Sequence, residues 1–180
     1  MRCLPRGLPC ILSLTIVYLY CTAPAYAHLM VAQHGTINII DDDAFMVLSL
    51  PVSAFAGIDD NDDGKVTMIE FNDHRVAIVA SIKDHVTLSA SDRRLTLKEI
   101  ILSPVAEHGS SAESISQLIV MGRFYLGGRD SALRFEMGLY GAGEAGKNFE
   151  ITATRVRDHR RDIFELTPAA PASLLFASRL

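Results

Sequence analysis

An α+β fold, mainly an antiparallel β-sandwich with an inserted helix-loop-helix, is predicted by three features of the sequence. These are short segments of alternating polarity, turn residues between them, and one acidic loop flanked by apolar residues at helical spacing. The alternating segments are residues 34–40, 45–50, 86–90, 95–102, 115–126, 132–140, 149–157 and 162–166. In 132–140, Leu133, Phe135, Met137 and Leu139 alternate with Arg134, Glu136 and Gly138, so one face is buried and the other wet. The same holds from Phe149, where Ile151 and Ala153 alternate with Glu150, Thr152 and Thr154. Turn chemistry separates the segments at Asp41, Asp42 and Asp43, at Ser91, Asp92 and Arg93, at Gly127, Gly128, Arg129 and Asp130, and at Gly141, Ala142 and Gly143. Short strands at this spacing imply two packed sheets.

The first 27 residues read as a secretory signal peptide: Arg2 and Arg6, then an apolar run from 11 to 20, then Ala25, Tyr26 and Ala27 before the cleavage point. The run is shorter than the ~20 residues a membrane span needs, and no later segment is long and charge-free enough. Tyr20, a bulky residue before Cys21, argues against lipidation there. The mature chain, 28–180, then forms one domain with the helix-loop-helix at about 51–84, destined for the periplasm or secretion. Cys3, Cys10 and Cys21 all fall in the removed segment, which leaves no thiol for a disulfide, a zinc site or a nucleophile. Loss of Arg2 and Arg6 takes the 17 basic residues to 15 against 21 acidic ones, so the net charge moves from -4 to -6. With no basic run and no interleaved aromatic platform, nucleic acid is not an expected partner.

Residues 59–70 read D-D-N-D-D-G-K-V-T-M-I-E. Oxygen donors stand at positions 1, 3, 5, 9 and 12 of this stretch and a glycine at position 6. A hard cation with six to eight oxygen ligands calls for this spacing, because carboxylates must recur on alternate residues around a sharp bend. The loop and its flanks resemble an EF-hand. By that resemblance Asp59, Asn61 and Asp63 give side-chain oxygens to Ca2+, Lys65 its carbonyl, Thr67 a direct or water-mediated contact, and Glu70 both carboxylate oxygens. Gly64 supplies the left-handed turn, and Val66 tucks the loop against the core. Phe55 and Ile58 mark a short entering helix started by Pro51, Val52 and Ser53, with Ser53 as its cap. Phe71, Val76, Ile78, Val79 and Ile82 mark a longer exit helix through about Lys83.

From about Val86 onward, the stretches L-R-F-E-M-G-L-Y-G, N-F-E-I-T-A-T-R-V and D-I-F-E-L-T-P-A-A-P resemble the extracytoplasmic β-domain of HupE/UreJ-type proteins, a family associated with metal handling. This sequence lacks that family's membrane helices, so the resemblance implies no transport activity.

An alternative reading is a periplasmic copper or metal-handling protein. Cleavage after Ala27 makes His28 the mature N-terminus, where amine and imidazole chelate copper together and His34 adds a second ring; Met30 adds little. His74, His85, His108 and His159 lack ligand spacing and read as surface or satisfied polar residues. Asp41, Asp42 and Asp43 read as a solvated turn. Asp158, His159, Arg160, Arg161 and Asp162 read as a charged hairpin turn, since no serine or cysteine stands in an activating context. The sequence therefore predicts a noncatalytic calcium-binding module that is stabilised by the ion or docks an envelope protein. Extracellular sites of this kind have dissociation constants of about 10⁻⁴ to 10⁻³ M.

Overall fold

Alternation becomes strand wherever one face has a core to cover, and each of the eight alternating segments contains one. The computed structural model describes residues 33–106, 114–128 and 132–177. The segment expected to be a signal peptide, His28, His108 and the Arg129–Asp130 part of one turn lie outside those residues. Strand accounts for 53% and helix for 19%, an α+β chain with two sheets and two α-helices.

In chain order the elements are β1 (His34–Ile40), β2 (Asp43–Pro51), β3 (Val66–Thr67), α1 (Met68–Asp73), α2 (Arg75–His85), β4 (Val86–Ala90), β5 (Arg93–Arg94), β6 (Leu97–Ala106), β7 (Ser114–Tyr125), β8 (Leu133–Met137), β9 (Phe149–Arg155), β10 (Arg160–Leu166) and β11 (Ala172–Leu174). The first sheet runs β10-β9-β1-β2-β7, with β3 and β6 also on β7; the second runs β11-β8-β4-β5. All pairings are antiparallel except β1 with β9. β3, β5 and β11 have two or three residues each, too few for alternation to show in the sequence.

Strand ends shift for local reasons. β8 stops at Met137 because the Gly138 N–H turns to His85 O at 2.8 Å. β9 ends in a 3₁₀ turn, Val156–Asp158, closed by His159 in the left-handed region at φ 54°. β6 runs on to Ala106 through Pro104, tolerable because a proline with no N–H to give is harmless on an edge strand.

The inward residues of both sheets join one apolar cluster with the loop flanks and helix α2. Leu48, Leu88, Phe135, Ile151 and Ile82 are each fully buried in it. Among the described residues no helix is long and apolar enough to cross a membrane.

The registers fix the acidic loop with unusual economy. β2 reaches Pro51 opposite Gln117, and β3 resumes with Val66 opposite Ile115. β6 pairs with β7 over both stretches, so β2 and β3 must share the other edge of β7. Residues 52–65 are therefore an excursion whose two ends are held two positions apart on one strand, about 7 Å. Closing a loop costs entropy that the sheet has already met.

Candidate metal centre

Extended backbone at Pro51 (φ -66°, ψ 143°) ends β2, and the chain makes a single 3₁₀ turn, Val52–Ala54, instead of the expected entering α-helix. Ser53 is not its cap. The Ser53 hydroxyl accepts the Ala142 N–H at 3.1 Å, tying this turn to the glycine-rich loop after β8. Phe55 and Ile58 are buried as the pattern requires, but on irregular chain.

The acidic loop itself is shaped by its own side chains. Asp59 accepts from the Asp63 N–H at 3.3 Å and the Gly64 N–H at 2.8 Å, one with each carboxylate oxygen. Asn61 Oδ1 accepts the Asp63 N–H at 2.9 Å, and its amide donates to Asp63 Oδ2 at 3.3 Å. Asp63 Oδ1 accepts the Lys65 N–H at 2.8 Å. Such Asx-type bonds bend the chain residue by residue. Gly64 takes the left-handed conformation at φ 77°, where a side chain is strained, and Asp62 joins it at φ 56°. Lys65 is exposed, and Val66 is buried beneath the loop.

At the far end Thr67 and Glu70 form a reciprocal cap on α1. The Thr67 hydroxyl accepts the Glu70 N–H at 3.3 Å and donates to Glu70 Oε2 at 2.8 Å, while Oε2 also accepts the Thr67 N–H at 2.8 Å. Glu70 Oε1 accepts the Asp60 N–H at 3.1 Å, so one carboxylate joins positions 2 and 9 of the loop. These hydrogen bonds, led by that from the Thr67 backbone, hold the Glu70 carboxyl below its ordinary pKa. Only 7% of Glu70 is exposed.

The exit helix is broken in two at His74, and the phase of its apolar face shifts there. Phe71, Ile78 and Ile82 are buried and Val79 is partly buried, but Val76 points to solvent and is 83% exposed. The His74 ring lies 2.8 Å from Asp60 Oδ1, an ion pair across the loop whenever the ring is protonated.

The six sequence-predicted positions thus fall into two groups. Asp59, Asn61 and Asp63 share hydrogen bonds in the first half, and Thr67 and Glu70 share them in the second, with Lys65 between. Among the described residues no three His, Cys, Asp or Glu side chains are gathered closely enough to hold a metal ion. The donor set nonetheless fits calcium by chemistry: it is all oxygen, and it places five carboxylates against one lysine in twelve residues. Sequence reasoning missed the Asp60–His74 pair and the anchoring on β7. It also missed the cap, for which the T-x-x-E spacing from Thr67 to Glu70 was the available signal.

The other polar candidates are occupied. Asp41 and Asp42 are exposed, and Asp42 also accepts from Leu126 and Gly128 N–H at 2.7 and 2.9 Å. Asp43, expected in solvent, instead pairs with Arg123 at 3.2 Å, and Arg123 pairs in turn with Glu99. His34 Nδ1 lies 3.6 Å from Glu150. Burial pushes the Tyr140 hydroxyl up to about 12, which keeps it protonated at neutral pH. Neither a protein-family model nor a curated protein matches the chain, so the resemblances rest on the residues themselves.

Proposed function

We propose that the chain is an exported, noncatalytic calcium-binding module. In this reading the two sheets form the halves of a β-sandwich, and the 59–70 loop is an EF-hand-like insertion ordered by a bound calcium ion. It serves to stabilise the fold or to dock an envelope protein. Asp59, Asn61, Asp63, the Lys65 carbonyl, Thr67 and Glu70 would hold the ion, whose chemical contribution is a compact positive centre among repelling carboxylates.

The observation that carries this reading is the combination of donor spacing and backbone direction. The amides of Asp60, Asp63, Gly64, Lys65 and Thr67 all turn onto the side chains of Asp59, Asn61, Asp63 and Glu70. The loop is thereby curled around its own acidic groups, and the 52–65 excursion that carries its first half is held on β7 through Pro51 and Val66. The copper alternative rests on His28, outside the described residues, and on His34, whose Nδ1 lies 3.6 Å from Glu150.

Isothermal calorimetry tests the proposal. One calcium per chain is expected, with binding lost in Asp59→Ala and in Glu70→Gln. Asp59→Ala leaves the Thr67–Glu70 cap in place, so loss of binding there is not a loss of the exit helix. Unchanged affinity in both variants would overturn the assignment.

A further inference from the structure

Just after β8 the sequence 138–146 reads G-L-Y-G-A-G-E-A-G, and close approach requires two of its glycines. A Cβ on Gly141 would lie 2.7 Å from Cγ of Pro51, and one on Gly146 would lie 2.5 Å from the backbone of Gly141. The segment closes on itself through the Gly141 N–H to Gly146 O at 3.0 Å and the Gly146 N–H to Gly143 O at 3.2 Å. So folded, it grips the stretch that carries the acidic loop at both of its ends. At the exit, the Gly138 N–H donates to the carbonyl of His85, the last residue of α2, at 2.8 Å. At the entry, the Ala142 N–H donates to Ser53 Oγ at 3.1 Å, and Gly141 lies against the Pro51 ring. Between the two grips Leu139 is buried and Tyr140 packs on the core, so they are joined by an anchored span.

We propose that segment 138–146 is a clasp that positions the calcium loop and sets its affinity, an inference that rests on the calcium reading above. All six proposed ligands lie between the two gripped points, Ser53 and His85. A site whose binding-competent conformation is populated in only a fraction of the molecules has its apparent dissociation constant raised by the inverse of that fraction. Holding the entry turn keeps the fraction high, because the chain then reaches Asp59 along a fixed path through the buried Phe55 and Ile58. Ser53 and Gly141 are not among the proposed ligands; they act through the backbone that leads to the first of them, as positioning residues. The coupling is reciprocal, so calcium held at 59–70 slows the opening of the clasp by the factor that the clasp contributes to calcium binding.

Calorimetric titration of the purified protein with calcium chloride, paired with amide hydrogen exchange in calcium and in chelator, tests the clasp. Ser53→Ala removes the acceptor of the Ala142 N–H, and Gly141→Ala drives the segment off Pro51. Each should raise the calcium dissociation constant about threefold to tenfold, the range that one lost hydrogen bond spans. Ser53 is exposed, so its alanine variant remains decisive where Gly141→Ala folds poorly. Ser53→Thr keeps the hydroxyl and should retain wild-type affinity. Gly57→Ala, strained by its own backbone and outside both grips, controls for general destabilisation and should leave the constant unchanged. In the wild type calcium should slow exchange of the Ala142 amide, and in Ser53→Ala it should not. Wild-type calcium uptake with equal affinity in Ser53→Ala and Gly141→Ala, equal weakening in Ser53→Thr or Gly57→Ala, or Ala142 exchange indifferent to calcium would overturn the clasp and leave the calcium reading standing. A wild-type protein that takes up no calcium overturns that reading, and the clasp with it.

Discussion

Glu70 has two roles that a substitution separates. As an acceptor it closes the loop from within, taking the Asp60 and Thr67 amides and the Thr67 hydroxyl; as a proposed ligand it gives both oxygens to calcium. Because its folded pKa is depressed, the carboxylate stabilises the fold above its unfolded pKa, and that contribution is lost as pH falls through the folded value. Without calcium, the urea midpoint should therefore fall on acidification through this window, and less steeply in Glu70→Gln; identical slopes would show that the carboxylate contributes nothing to acid sensitivity. Thr67→Ala removes the other half of the cap and should cost about 1 kcal/mol in urea unfolding. The ligand spacing that includes Glu70 was read from the sequence; the cap was not, although its T-x-x-E spacing is an equally local pattern. The Asp60–His74 and Asp43–Arg123 pairs were not legible, since each joins residues that only the tertiary fold brings together.

Two left-handed glycines, one just before the loop and one inside it, share a backbone conformation but not a relation to the proposed ligands. Gly57 (φ 72°) and Gly64 (φ 77°) both have open space where a Cβ would sit, so alanine at either site is strained by backbone alone. Each substitution should cost about 1 kcal/mol of stability, yet only Gly64→Ala should also weaken calcium binding, because Gly64 turns the segment that the ligands share. Calorimetry and thermal unfolding on both variants decide this; equal loss of affinity would mean the loop responds to general destabilisation. At this scale strands were readable and the entering helix was not. Alternation marks a buried face directly, whereas the cap assigned to Ser53 was drawn away by Ala142, a residue 89 positions distant in sequence. The exit helix was foreseen as continuous because its apolar spacing is nearly regular; the break at His74 left Val76 on the wet side.

The whole molecule sets a limit on what calcium can do for it. The turn and the first half of the loop lie in the excursion between β2 and β3, the exit helix follows β3 directly, and the buried residues along this stretch, Phe55, Ile58, Val66 and Phe71, belong to the same core as both sheets. Ordering the loop is therefore coupled to the global fold, and bound calcium should raise the melting temperature of the entire protein in one transition. With calcium at ten times a dissociation constant of about 10⁻⁴ to 10⁻³ M, linkage gives about 1.4 kcal/mol. For a chain of this size each kcal/mol is worth about 2–4 °C, so the expected rise is about 3–6 °C over the chelated protein. Calorimetric scans in calcium and in chelator measure it. A second, separate transition that alone responds to calcium would show that the loop melts independently of the sheets. No shift at calcium concentrations that saturate the site would show that the unfolded chain binds the ion as well as the folded one, which would contradict a loop shaped by its attachment to β7.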